Sequence, residues 1–84
     1  MTDRFEVAVR LFGQHRELAG DSVISVELVA GGTVADLRRA LAAHPGLGTA
    51  LGGSAVALNR AYQSDESPVR AGDEVAVIPP VAGG

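Results

Sequence analysis

A chain of 84 residues makes one domain, small enough to bury only about 60–65% of the surface its unfolded form exposes. Apolar residues make up 46% but aromatics only 4%, so Val, Leu, Ile and Ala must fill the core, and the absence of cysteine excludes disulfides, thiolate-bound zinc and a cysteine-ligated iron–sulfur cluster. A net charge of −3 with both signs interspersed leaves no basic stripe for a phosphate backbone, so no nucleic-acid partner is expected.

The N-terminal residues Met1-Thr2-Asp3-Arg4 run straight into an alternating segment, without the apolar stretch of a signal peptide or membrane span. The expected address is cytoplasmic, with no membrane partner. All seven basic residues are Arg, so no lysine amine exists to receive an isopeptide bond.

Over residues 5–12, Phe5, Val7, Val9 and Leu11 alternate with Glu6, Ala8 and Arg10, the period of a strand with one buried face. Residues 13–20 carry Gly at both ends and helix formers inside, which predicts one helical turn with Leu18 as its inward anchor. Residues 22–29 alternate again through Ile24, Val26 and Leu28, a second strand expected to pair with the first as a hairpin. Gly31-Gly32 breaks it.

Thr33 and Asp36 then spell a capping box at the start of a helix. Val34, Leu37 and Leu41 make its apolar stripe, with Arg38, Arg39 and Ala42 outward. His44-Pro45-Gly46 ends the helix, because a residue before Pro is pushed out of helical geometry. Residues 46–54, with four glycines, read as a loop. Residues 55–59 read as a short strand, 63–67 as a polar turn, 68–70 as a brief edge strand, and 75–78 as a central strand.

This order predicts an α+β fold: a mixed sheet packed on one main helix, as in the β-grasp roll. If the first and last strands are parallel neighbours, the last strand ends at a rim of the sheet. The expected organisation is a domain over residues 1–80 and a flexible Gly-Gly tail over residues 81–84.

Pro79-Pro80 cannot donate ladder hydrogen bonds and favours extended backbone, so pairing should stop there. Val81, Ala82, Gly83 and Gly84 then reach roughly 13 Å when extended, at about 3.3 Å per residue. The terminal glycines lack Cβ, so this end threads a narrow channel and its carboxylate approaches a reacting group unobstructed. Joined to AMP, that carboxylate becomes an acyl donor from which a sulfur nucleophile displaces AMP, leaving a thiocarboxylate.

Phe12 and Ile78 break the parity of their strands, so both should face away from the core and form an exposed apolar patch beside the tail. Other features carry less. Arg38-Arg39 reads as a solvated helix face, and His15 and His44 lack the carboxylate neighbours of a metal site. Gly31-Gly32-Thr33 and Gly52-Gly53-Ser54 lack the full phosphate-loop pattern. No internal pair of nucleophile and base is found, and neither a metal nor a bound cofactor is expected.

Three blocks of residues resemble a known family. They are Val9-Arg10-Leu11-Phe12 with Arg16-Glu17-Leu18-Ala19-Gly20, then Val56-Ala57-Leu58-Asn59-Arg60, and above all the run from Ala71 through Asp73-Glu74 and Pro79-Pro80 to Gly83-Gly84. The chain is similar to the ubiquitin-like β-grasp sulfur carriers, most closely the small subunits of molybdopterin synthase.

The resemblance implies a subunit that is not catalytic alone and binds no cofactor. A ubiquitin-activating-like adenylyltransferase would use ATP to adenylate Gly84. The resulting thiocarboxylate would donate sulfur for the dithiolene of molybdopterin inside a large subunit, in a heterotetramer. By position, Gly84 carries the sulfur and Gly83 gives clearance. Phe12, Tyr62, Ile78, Pro79, Pro80, Val81 and Ala82 line the partner interface. A carrier for thiazole or cysteine synthesis, a ubiquitin-like modifier and a pure interaction module remain open alternatives.

Overall fold

A computed structural model of the chain describes residues 3–80. Strand β1 (Arg4–Leu11) pairs antiparallel with β2 (Val23–Val29), in a register that sets Val9 opposite Ile24 and Phe5 opposite Leu28. That register follows from the alternation, because a slip by one residue would turn one strand's apolar row to solvent. Between them lies helix α1 (Gly13–Ala19), and after β2 comes the main helix α2 (Val34–Ala42).

The capping box forms as read. The Thr33 backbone N–H donates to the Asp36 carboxylate at 2.9 Å, and the Thr33 hydroxyl donates to the same oxygen at 3.3 Å. Further first-turn donors find partners in a distant loop: Val34 N–H bonds the Ser67 carbonyl and Ala35 N–H the Asp65 carbonyl. Helix starts leave such N–H groups orphaned, and here the polar segment over residues 64–67 satisfies them. Val34, Leu37 and Leu41 are completely buried against the sheet.

The chain continues through a 3₁₀ turn (Gly48–Leu51) to β3 (Ala55–Leu58), β4 (Ala61–Gln63) and β5 (Val75–Ile78). The sheet order is β2-β1-β5-β3-β4, with β5 parallel to β1 and antiparallel to β3. This mixed sheet with helices packed on one face is the expected β-grasp roll. Its core joins Val7, Val9 and Leu11 of β1 to Val75 and Val77 of β5, Val56 and Leu58 of β3, and the stripe of α2.

Several local expectations change. Helix α1 spans seven residues rather than one turn, and its inward anchor is His15, wholly buried, whereas Leu18 is 46% exposed. One turn on from His15, Ala19 packs against the core. The helix is thus rotated to bury a histidine instead of the larger aliphatic.

The loop over residues 46–54 holds the 3₁₀ turn and buries Leu47 and Leu51, which give it a core contact that glycine content alone hid. Residues 68–70 make no strand. Pro68 forms a single bridge to Thr33, and Val69 is buried. The unread strand is β4, closed onto β3 by Asn59 and Arg60 at φ 52° and 71°. Two such residues make the turn whose twist suits a hairpin. Asn59 also donates to Asp73 Oδ1 and accepts from the Glu74 N–H, both at 3.0 Å, tying the turn to the start of β5.

Candidate functional site

The parallel pairing of Leu11 with Val77 brings the ends of β1 and β5 to one rim of the sheet. Pro79 and Pro80 follow directly on β5, and the ladder stops there, as two residues without N–H require. Two glycines flank them. A Cβ on Gly13 would lie 3.4 Å from Pro79 Cγ, and one on Gly53 would lie 3.8 Å from Pro80 Cγ. Both glycines have positive φ, +54° and +79°, which other residues adopt only with strain. Pro79 therefore lies close to the start of α1, and Pro80 close to the loop before β3.

The sheet face turned away from α2 is small and apolar near this rim. Partners in register point to the same side, so Tyr62, Ala57 and Ala76 form one row, and Ala55 and Ile78 the next. Tyr62 is 71% exposed, Phe12 is 44% exposed and Ile78 is half-buried. The structure thus gathers Phe12, Ile78, Pro79 and Pro80 at one end of this face, with Tyr62 on the outer strand. Val81, Ala82, Gly83 and Gly84 lie outside the described residues.

Beside Phe12, the side chains of Arg10, Arg16, Ser22 and Val23 help to line a cavity of about 250 Å³. Among the described residues, ion pairs join Arg4 to Glu27, Arg38 to Asp65, Arg39 to Asp36 and Arg60 to Glu74, and none uses Arg10 or Arg16. The apolar rim is therefore flanked by positive charge that has no ion-pair partner among the described residues, on a chain of net charge −3. Arg38, read as outward, is half-buried and donates to Asp65 at 2.8 Å.

Two carboxylates are held below their ordinary value of 3.8, both away from this rim. Asp73 accepts the Arg70 backbone N–H and, secondarily, the Asn59 amide. Asp36 accepts the Thr33 backbone N–H, the largest cause; burial opposes it, and Arg39 lowers the pKa further. They serve a turn and a helix cap.

Sequence reasoning missed the seats of the two prolines and the buried histidine behind them. His15 Nε2 lies 3.2 Å from the Ala50 carbonyl oxygen and 3.1 Å from Ser54 Oγ. The available signal was the spacing of His15 and Ala19, one helical turn apart on a single face. Among the described residues, no three His, Cys, Asp or Glu side chains gather as metal ligands, and no helix is long and apolar enough to cross a membrane.

A β-grasp domain whose last strand ends at an apolar rim and continues into a Gly-Gly terminus defines the class of ubiquitin-like carriers and modifiers. The sequence model of the ThiS family matches residues 9–84, and the chain belongs to that family of sulfur carriers.

It is 38% identical to the molybdopterin synthase sulfur carrier subunit of Chlamydomonas reinhardtii, over 94% of this chain and 99% of the relative. Identity to the corresponding subunit of Arabidopsis thaliana is 33%, over 99% of this chain and 88% of the relative.

Among solved structures it resembles SAMP1 from Haloferax volcanii, with a TM-score of 0.83 and 30% identity over 95% of this chain and all of that one. It also resembles a chain in the protein-protein complex of subunits 1 and 2 of molybdopterin-converting factor from Helicobacter pylori. There the TM-score is 0.67, with 30% identity over 95% of this chain and all of that one.

Proposed function

We propose that this domain presents the carboxylate of Gly84 for ATP-dependent activation and then delivers sulfur from it to build the dithiolene of molybdopterin. The carboxylate attacks the α-phosphorus of ATP and expels pyrophosphate. A nucleophile bringing sulfur at the sulfide level then displaces AMP and leaves a thiocarboxylate. Attack by that sulfur on an acceptor carbon, with departure of the oxygen substituent that carbon bears, gives a thioester, and water splits it, leaving a thiol on the acceptor and the carboxylate on the chain. ATP is consumed by the activating enzyme, so we assign the chemistry to the cytoplasm, where that nucleotide is available.

The observation that carries this reading is near-full-length similarity to two sulfur carrier subunits of molybdopterin synthase. The exposed Phe12, Tyr62 and half-buried Ile78 beside the tail base support docking on a large subunit and on a ubiquitin-activating-like adenylyltransferase. The complex of the Helicobacter pylori relative supports assembly with a second subunit, which we extend to a heterotetramer.

A second reading has its own support: the superposition on SAMP1 from Haloferax volcanii favours a modifier whose activated Gly84 is passed to a lysine of a target protein. Both readings start from the same acyl-adenylate.

Intact mass spectrometry after incubation with ATP, an activating enzyme and sulfide tests the shared step. The expected result is a shift equal to replacing one oxygen by sulfur, lost when Gly84 is deleted or the C-terminus is extended, with folding unchanged. Dithiolene formation with a large subunit and a cyclic pyranopterin supports the donor reading. Adducts on target proteins without that product support the modifier, and co-purification with a thiazole synthase alone supports a thiazole carrier. A truncated chain that still transfers sulfur overturns the role of Gly84.

A further inference from the structure

We propose that His15 and Ser54 form a clamp that fixes the placement of Pro79-Pro80, the last described residues before the reacting end; this rests on the reading of Gly84 as the reacting end. The His15 ring has no solvent exposure, and its Nε2 faces both the Ala50 carbonyl oxygen at 3.2 Å and Ser54 Oγ at 3.1 Å. A carbonyl only accepts, so Nε2 carries the proton and donates. Nδ1 is then left as a buried lone pair without a donor.

A leucine would fill similar space and leave no polar atom unpaired, so packing alone does not account for an imidazole here. What the imidazole adds is direction. Its bonds span 35 and 39 positions of sequence and join α1 to the segment leading into β3.

Those are the two segments beside which the prolines lie. Gly13, two residues before His15, lies near Pro79, with room for no more than a methyl group between them, and Gly53, immediately before Ser54, lies near Pro80. The imidazole thus holds the two seats at a fixed separation, and the prolines inherit it. His15 and Ser54 act through Gly13 and Gly53, which makes them positioning residues. Small errors at the base matter because a reacting end that misses its geometry by about 1 Å can lose roughly a hundredfold in rate.

The test uses His15→Leu, Ser54→Ala and His15→Gln in the full chain. The first readout is the ¹³C order parameters at Pro79 and Pro80 Cα in the free protein. The second is the single-turnover rate of sulfur transfer in the saturated partner complex, with Kd measured separately. In folded His15→Leu, the order parameters should drop from about 0.85 to below about 0.6.

The saturated rate should fall about tenfold, while Kd stays within about twofold because the apolar face is untouched. His15→Gln, whose amide donates to the Ala50 carbonyl, should recover most of both. Order parameters unchanged in His15→Leu overturn the clamp, and loosened prolines with an unchanged transfer rate overturn its positioning role. If His15→Leu does not fold, Ser54→Ala decides by the same two readouts. A wild-type chain that no activating enzyme modifies defeats the functional reading, and the order parameters alone then decide the clamp.

Discussion

At Gly46 the chain turns with φ +94°, and a Cβ there would stand 2.3 Å from the Leu18 carbonyl oxygen. Both the dihedral and the backbone contact oppose a side chain, so Gly46→Ala should destabilise the fold by about 1–3 kcal/mol. In a domain this size each kcal/mol lowers Tm by about 4–8 °C, and an unchanged melting curve would contradict the contact. Asp73 works differently. Its carboxylate accepts the Arg70 N–H and the Asn59 amide, and its pKa is lowered from 3.8.

A carboxyl that binds its proton more weakly when folded adds stability above its unfolded pKa and loses it as pH falls through the folded value. Asp36 has the same sign. Urea midpoints should therefore decline as pH drops below about 4, and in Asp73→Asn part of that decline should disappear. A variant with the wild-type acid slope would remove Asp73 from the account.

Helix α2 shows how an element draws on both local and distant residues. Its cap and stripe come from its own sequence, while two of its first-turn N–H groups are satisfied by the carbonyls of Asp65 and Ser67. Leu37 sits at the centre of the stripe and is completely buried. Leu37→Ala should lose about 2–5 kcal/mol through lost burial and the cavity left behind, read by chemical denaturation. A loss under about 1 kcal/mol would mean that the sheet collapses into the space, which close packing resists.

The strands, α2 and the apolar stripe were legible because a period of two or 3.6 is written in any short window of residues. β4 was not, since three residues ending in Gln63 carry too little alternation to separate from a turn.

Across the whole molecule, the sheet order puts β5 between β1 and β3, so that Phe12, Ile78 and the prolines converge on one rim. A charge placed there would have to be desolvated on docking. Ile78→Asp, or Phe12→Asp, should weaken the partner complex at least about tenfold while the free domain stays folded. Calorimetric titration checks this, and an unchanged Kd would show that partners dock elsewhere. Arg10 and Arg16, which form no ion pair among the described residues, add positive charge beside Phe12. The candidate site was thus half legible: the parity of Phe12 and Ile78 and the proline stop could be read, whereas the supports beneath them could not.

By itself, the sequence determined the alternation of β1, β2 and β5, the cap and stripe of α2, and an ending in Pro79-Pro80 and Gly83-Gly84. Each is a property of neighbouring residues, enforced by backbone sterics and by the period of apolar side chains. Only the tertiary structure decided that His15 rather than Leu18 turns inward, that Pro68 makes one bridge instead of a strand, and that Gly13 and Gly53 come close to the two prolines. Those outcomes depend on partners far apart along the chain, such as His15 with Ser54, whose meeting follows from sheet order and close packing rather than from any local pattern.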